Sequence, residues 1–119
     1  MDRIRFESLV DEALASLPRR FRERIENLAV LVEERPPRRR SSRAPAGGLL
    51  LGIYHGVPLK DRGSYYGNLP PDVIVIYQEP IERLSASDDE IRERVREVVF
   101  HEVGHYFGLS EKELREIED

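Results

Sequence analysis

Residues 98–111 read VVFHEVGHYFGLSE and contain two of the three histidines of this 119-residue chain, His101 and His105. Positions four apart lie on one face of a helix, one above the other. A helix over this stretch therefore brings two imidazole nitrogens to the same place, which is a common part of a metal site. Glu102 follows the first histidine directly.

The pattern H-E-x-x-H is typical of zinc metallopeptidases, in which the histidines bind the metal and the glutamate accepts a proton from the attacking water. Here it extends to H-E-x-x-H-x-x-G-x-x-E, because Gly108 and Glu111 follow at intervals of three. We therefore predict that His101 and His105 bind a metal and that Glu102 is the catalytic base. For an isolated pair of histidines, an ordinary hydrogen-bonded cluster at the rim of a core is the alternative.

The helix that carries the motif should begin near residue 88, because residues 87–90 read SDDE, a capping box with Ser87 as the N-cap. Gly108 should end it by taking a left-handed conformation. At 100° per residue, its apolar positions form one stripe, which is predicted to be buried. The stripe consists of Ile91, Val95, Val98 and Tyr106.

Glu102 is out of place for a purely structural helix. Counted on the same wheel, it lies about 20° from Ile91, in the middle of the apolar stripe. A carboxylate buried there without a partner destabilises the fold. A divalent cation held by the neighbouring histidines would supply that partner, so the position of Glu102 favours the metal-site interpretation.

The third metal ligand is predicted to be Glu111. Residues 110–113 read SEKE, a second capping box that opens a final helix through about residue 118. In the first turn of that helix, Glu111 could point back at the two histidines. An acid is also favoured at a helix start for electrostatic reasons, so a structural role is the alternative. The substitutes for this ligand are Glu113, Glu116, Glu118 and His55.

Composition limits the class of protein. A chain of this length is expected to form a single domain over residues 1–119. With no cysteine, a metal must be held by nitrogen and oxygen ligands. No apolar run reaches membrane-spanning length and the start does not resemble a signal peptide, so we expect a soluble cytoplasmic monomer. The formal net charge of −4 argues against nucleic acid as a partner.

The first third of the chain is predicted to form a helix, a helix and a strand. Apolar residues recur at helical spacing from Phe6 to Leu17. Residues 18–27 indicate a second short helix, and residues 28–33 a strand. Residues 35–48 carry five arginines and almost nothing that can be buried, so we expect a mobile surface loop. A patch for an anionic partner is the alternative for these arginines.

Two apolar runs, residues 49–54 and 73–77, are predicted to be strands covered on both faces. A turn-rich connection joins them over residues 56–71. Connections of that length in a compact domain often have a functional role. Glu79 and Pro80 should end the second of these strands, and one helical turn is expected over residues 81–84.

Nearly the whole chain resembles the minimal zincin family of small bacterial zinc metallopeptidases. The likeness includes an opening helix that ends in Leu17 and Pro18, a strand over residues 27–32, LLGIYHGVPL at 50–59, and HEVGHYFGLS at 101–110. It also includes Arg62-Gly63, Leu69-Pro70 and Asp72.

The resemblance implies an α+β fold with a zincin-like minimal core and no Met-turn. A small, mostly three-stranded mixed sheet would pack against the N-terminal helices and the active-site helix, with a short C-terminal helix. The family usually has aspartate at the third-ligand position, where this chain has Glu111, which is one methylene longer. Either carboxylate suits zinc.

Together, the motif and the resemblance predict a metallopeptidase with one Zn²⁺ ion and a peptide or protein substrate. The substrate would bind in extended form along an edge strand. Candidates to polarise or anchor it are Tyr54, Arg62, Tyr65 and Tyr66. The alternative is a metal-binding peptide-recognition or regulatory module with little or no turnover, which the small size of the chain favours. A non-peptide hydrolase is a third possibility, although peptide deformylases need a cysteine ligand that this chain lacks.

Overall fold

The computed structural model describes residues 1–37, 49–57, 71–110 and 112–114. The elements are α1 (Arg3–Ala15), α2 (Arg19–Arg22), β1 (Leu28–Glu33), β2 (Gly52–His55), β3 (Asp72–Tyr77), α3 (Gln78–Arg83) and α4 (Asp88–Tyr106). Residues 112–114 form a final helical turn. Within these ranges, no helix combines the length and the apolar character that crossing a membrane requires.

The three strands form a mixed sheet in the order β1-β3-β2. β1 runs parallel to β3, with Leu28 opposite Asp72, and β2 runs antiparallel to β3, with Gly52 opposite Ile76. Five of the six residues of β3 are buried, as expected for a central strand with an unbroken apolar run. The α+β class and the three-stranded mixed sheet predicted from the sequence are confirmed.

The core lies between one face of the sheet and the helices α1 and α4. Ile74 and Ile76, two residues apart on β3, point to the same side and are fully buried in one cluster with both helices. The helices contribute residues at helical spacing, which is why their apolar periodicity was visible in the sequence. These residues are Phe6, Leu9, Val10 and Ala13 on α1 and Ile91, Val95, Val98, Val99 and Val103 on α4.

The start of α4 agrees with the prediction. Ser87 is the N-cap and its Oγ accepts a hydrogen bond from the backbone N–H of Glu90 (3.2 Å). The Glu90 carboxylate accepts from the N–H of Ala86 (2.8 Å), which is one residue before the N-cap and not the N-cap N–H of an ideal capping box. The predicted apolar stripe is also buried.

The second helix is shorter than predicted. It was expected over residues 18–27, but α2 ends at Arg22. Asn27 takes a left-handed conformation (φ 55°), and its carbonyl accepts a hydrogen bond from the N–H of Asp72 (2.9 Å). This bond begins the pairing of β1 with β3. The chain must therefore leave the helix early in order to enter the sheet at Leu28.

β2 begins and ends later than predicted. The strand expected over residues 49–54 is Gly52–His55, because pairing starts where the N–H of Tyr77 donates to the carbonyl of Leu51 (2.9 Å). Residues 49–54 are all buried or half-buried, and His55, one residue beyond the predicted strand, is exposed.

α3 begins earlier than predicted, at Gln78, directly after β3. Glu79 and Pro80, expected to separate strand from helix, lie in its first turn. Proline is well tolerated there because the first backbone N–H groups of a helix have no intrahelical partner.

The α-amino group of Met1 ties the start of the chain to α3. It donates to Oε1 of Glu82 (2.8 Å), and the Met1 carbonyl accepts from Nε2 of Gln78 (2.8 Å). Arg3 in turn donates through Nε to Oε1 of Gln78 (2.6 Å). The first turn of α1 is therefore held against α3 by polar contacts.

For protein prepared with a free amino group on Met1, we expect stability to fall at alkaline pH. The hydrogen bond and the charge of Glu82 raise the pKa of this amino group above its usual value of 8.0. Its contribution is fully present below about pH 8 and is lost as the pH rises through the folded-state pKa. Urea denaturation at about pH 7 and about pH 10 should show a larger loss for the wild type than for Glu82→Gln. Equal losses in the two proteins would contradict this account.

Candidate metal centre

α4 places His101 and His105 one turn apart on the same face. Their ring centroids are 4.8 Å apart and the ring planes are nearly perpendicular, at 86°. Two imidazoles that share one tetrahedral zinc ion, with Zn–N distances of about 2.0–2.1 Å, have ring centres about 5 Å apart. The observed spacing is therefore compatible with a single ion held between the two rings.

The turn that ends α4 orients the ring of His105. Gly108 is left-handed (φ 87°), as predicted, and its N–H donates to the carbonyl of His105 (2.8 Å). The N–H of Leu109 donates to the carbonyl of Gly104 (3.0 Å), which completes a Schellman motif. The carbonyl of Leu109 then lies 3.2 Å from Nδ1 of His105.

This contact with Leu109 decides which nitrogen of His105 can bind a metal. A carbonyl oxygen can only accept, so Nδ1 carries the proton in this bond and Nε2 is the nitrogen suited to coordination. Metal-binding histidines commonly donate their second ring nitrogen to a backbone carbonyl or a carboxylate, which holds the ring in position. The hydrogen bond and the ring spacing together fit a zinc ion.

Glu102 is buried on α4, next to His101. It is 8% exposed, so the burial predicted from its position on the apolar stripe is confirmed. β2 passes directly over this part of the helix. A Cβ atom built on Gly52 would lie 2.7 Å from Cγ1 of Val98 and 3.5 Å from Cγ of Glu102. Glycine at position 52 therefore allows the strand to lie against the side chain of Glu102.

The predicted third ligand, Glu111, lies outside the described residues, but both of its neighbours are described. The N–H of Ser110 donates to Oε1 of Glu113 (3.1 Å), and the N–H of Glu113 donates to Oγ of Ser110 (3.1 Å). This is the predicted second capping box, and it engages the carboxylate of Glu113.

Neither of the described substitute ligands, His55 and Glu113, completes the site. In residues 1–37, 49–57, 71–110 and 112–114, no three His, Asp or Glu side chains form a group that could hold a metal ion. The remaining candidates, Glu111, Glu116 and Glu118, lie outside these ranges. The identity of the third ligand therefore stays a prediction.

The final helical turn packs against α4 at Gly104. Leu114 is 4% exposed, and a Cβ atom added at Gly104 would overlap its Cδ2 atom. The residue directly before His105 must therefore be small for this contact to form. Together with the Ser110 cap, the contact holds the chain on both sides of position 111.

Of the four predicted substrate-binding residues, Tyr54 lies in the described part of the chain. Its hydroxyl donates to Oδ2 of Asp72 (2.6 Å), which is buried, and its ring meets the edge of Tyr106 at a centroid distance of 6.2 Å. These contacts give Tyr54 a packing role, and its role in substrate binding stays a prediction. Arg62, Tyr65 and Tyr66 lie outside the described residues.

Three contributors to this centre were not predicted: Gly52, Gly104 and the carbonyl of Leu109. The two glycines were visible as signals, since glycine inside a strand or a helix often marks a close approach of another segment. The segment that approaches is not visible from the sequence. The role of Leu109 follows from the helix-ending turn at Gly108, which the sequence did predict.

Comparison with known proteins gives a family and a fold. A family model described as zincin-like metallopeptidase matches residues 25–119. The search of curated proteins gives no match. A solved structure, a conserved hypothetical protein from T. thermophilus, is similar with a TM-score of 0.60 and 19% identity. That match covers 90% of this chain and 94% of the other, and at this identity it supports the fold alone.

Proposed function

The chain belongs to the family of zincin-like metallopeptidases, and from this premise we propose that it hydrolyses peptide bonds with the help of one zinc ion. The resemblance stated from the sequence is thereby confirmed. The observation that best supports the proposal is the pair of imidazoles 4.8 Å apart, with a buried carboxylate beside them on the same helix. Such a carboxylate destabilises a fold unless it has a partner or a chemical role.

We assign the metal to His101 and His105, with Glu111 as the proposed third ligand. Imidazole nitrogen and carboxylate oxygen are both ligands that zinc prefers, and no thiolate competes because the chain has no cysteine. When bound, zinc supplies Lewis acidity, which polarises a peptide carbonyl and lowers the pKa of water toward neutrality. The hydrogen bond from His105 to the Leu109 carbonyl keeps one ligand ring oriented for this role.

Glu102 is the proposed general base. It lies one position from His101 and three from His105, so its carboxylate is close to where both rings converge. Gly52 of β2 lies against Cγ of Glu102, so the strand covers one side of this side chain. In the proposed reaction, Glu102 takes a proton from the attacking water and returns it to the leaving amine.

Zinc binding is the first expectation to test. At a free zinc concentration about 100 times the Kd, the ion should stabilise the wild type by about 2.7 kcal/mol, because it binds the folded chain. His101→Ala should abolish most of this gain. The matched control is His55→Ala, which removes the third histidine, an exposed residue of β2. Urea denaturation with and without zinc measures both effects.

A zinc-dependent gain of equal size in His101→Ala would contradict the assigned ligands. The same experiment includes a check on Glu111, since Glu111→Ala should reduce the gain and Glu113→Ala should leave it unchanged. Glu113 serves the Ser110 cap, so its removal lowers stability with and without metal alike.

The alternative function is a metal-binding module that recognises peptides without cleaving them. The observation that favours it is size, since 119 residues leave little protein to build a substrate cleft. Incubation of the zinc-loaded protein with a mixed peptide library, followed by mass spectrometry of the products, separates the two functions. New peptide termini that are absent from the Glu102→Gln reaction support hydrolysis.

A further inference from the structure

We propose that Arg94 binds a carboxylate of the substrate, about four residues from the bond that is cleaved. The inference rests on the proposed function and deepens it, because it names a substrate class. The preferred peptides would carry an acidic side chain or a free C-terminal carboxylate at that distance. Three observations support it: the position of Arg94, its lack of a partner among the described residues, and the course of β2 along the helix.

Arg94 lies on the flank of α4 that carries the two histidines. On the helical wheel it is about 20° from His101 and about 20° from His105, on opposite sides. The three side chains therefore follow one line along the helix. At 1.5 Å per residue, Arg94 is about 10 Å from His101 and about 16 Å from His105 along the axis.

Arg94 has no ion pair in the described part of the chain, although acids are within reach along the helix. Glu90 and Glu97 are four residues before it and three after it, where charged side chains commonly pair. The carboxylate of Glu90 instead accepts from the backbone of Ala86. The Nε atom of Arg94 is buried and has no hydrogen-bond partner among the described residues.

The neighbouring arginines of α4 behave differently. Arg92 pairs with Glu12 across to α1 (3.1 Å), and Arg96 lies over the ring of Phe100 (5.5 Å from the centroid). A covered guanidinium nitrogen without a partner costs free energy, and structures seldom keep one without a reason. The guanidinium of Arg94, which has no ion pair among the described residues, is suited to a ligand that supplies a carboxylate, because the two groups form paired, charge-assisted hydrogen bonds.

β2 shows the direction in which an extended peptide would pass. Gly52 lies over Val98 and Glu102, and Tyr54, two residues later, packs against Tyr106 one turn further along α4. The strand therefore runs along the helix and not across it.

A peptide aligned with β2 would pass the two histidines and then reach Arg94. The middle of the histidine pair is roughly 13 Å from Arg94 along the helix axis, which corresponds to about four residues at about 3.3 Å per extended residue. The carboxylate that Arg94 recognises should therefore lie at that distance from the cleaved bond, on one side only.

The test measures binding in the absence of turnover, with fluorescein-labelled peptides and zinc-loaded Glu102→Gln protein. One peptide series has a C-terminal amide and a glutamate moved through every position of a neutral sequence. A second series is neutral and ends in a free carboxylate at increasing distance. Adding Arg94→Gln should weaken binding about tenfold for the peptide whose acid lies about four residues from the cleaved bond. Binding of the neutral amide should not change.

Two matched variants complete the design. Arg92→Gln, on the opposite flank, should leave every affinity unchanged, and Arg94→Lys should recover part of the loss because it keeps the charge without the paired donors. A loss confined to the glutamate series identifies an acidic side chain as the ligand, and a loss confined to the second series identifies the C-terminus.

An equal loss for neutral and acidic peptides would overturn the inference, and so would no loss at all. If wild-type protein cleaves neutral and acidic peptides at equal rates, the inference fails while the proposed function stands. If zinc binds but no peptide is bound or cleaved, the proposed function fails and the inference fails with it.

Discussion

Glu102→Gln should lower kcat/KM for peptide hydrolysis by about 10²–10⁴-fold while the zinc content stays at the level of the wild type. Glutamine has nearly the shape of glutamate and fills the same space under Gly52, so the helix and both histidines remain in place. Its amide cannot accept the proton that the carboxylate takes from the attacking water. The rate on a peptide identified from the mixed library, measured beside metal analysis, gives both numbers.

His101→Ala is the matched control, because it should lose metal and activity together. If Glu102→Gln cleaves as fast as the wild type, the assignment of the general base is wrong. If the wild type and Glu102→Gln both bind zinc and neither cleaves any peptide in the library, the peptidase proposal fails. The peptide-recognition module is then the function that remains.

Leu114→Ala should lower the free energy of unfolding by about 2–5 kcal/mol, which is the usual range for truncating a buried leucine. Leu114 is 4% exposed and packs on Gly104, so its removal leaves a cavity at the base of the metal centre. The affinity for zinc should also fall, because the contact of Leu114 with Gly104 holds the chain on one side of Glu111. Urea denaturation and a zinc titration measure the two effects.

The effect of Gly104→Ala on the free energy of unfolding should change sign with the residue at position 114. In the wild type the new Cβ overlaps Leu114, and overpacking costs about 1–3 kcal/mol, more than the gain of about 1 kcal/mol from replacing glycine in a helix. In the Leu114→Ala background the overlap is gone, so Gly104→Ala should stabilise the protein by up to about 1 kcal/mol. The same sign in both backgrounds would contradict the packing of the final turn against α4.

Sequence reasoning succeeded where the signal is local. The start of α4 at Ser87, the burial of Glu102 and the left-handed turn at Gly108 all follow from residues within a few positions of one another. Capping, helical periodicity and the conformational freedom of glycine act over one or two turns, so they can be read without a fold. The family and the α+β class were also predictable. The resemblance to the family extends over nearly the whole chain, and the apolar runs mark the strands.

The predictions that failed depend on contacts between distant segments. α2 stops at Arg22 because Asn27 must begin the pairing with Asp72, and β2 begins late because its partner on β3 sets the register. No local pattern encodes either constraint. For the same reason, the approaches of β2 to Gly52 and of Leu114 to Gly104 were visible only as isolated glycines, with no indication of what would lie against them.

The hydrogen bond between Nδ1 of His105 and the carbonyl of Leu109 has a consequence for protein engineering. Both partners lie within five consecutive residues, and the turn that joins them also terminates the helix. This orienting contact is thus encoded by a short, contiguous cassette. A designer could transplant residues 104–109 to the end of an unrelated helix and obtain one preoriented metal-binding side chain, with the remaining ligands left to the new scaffold.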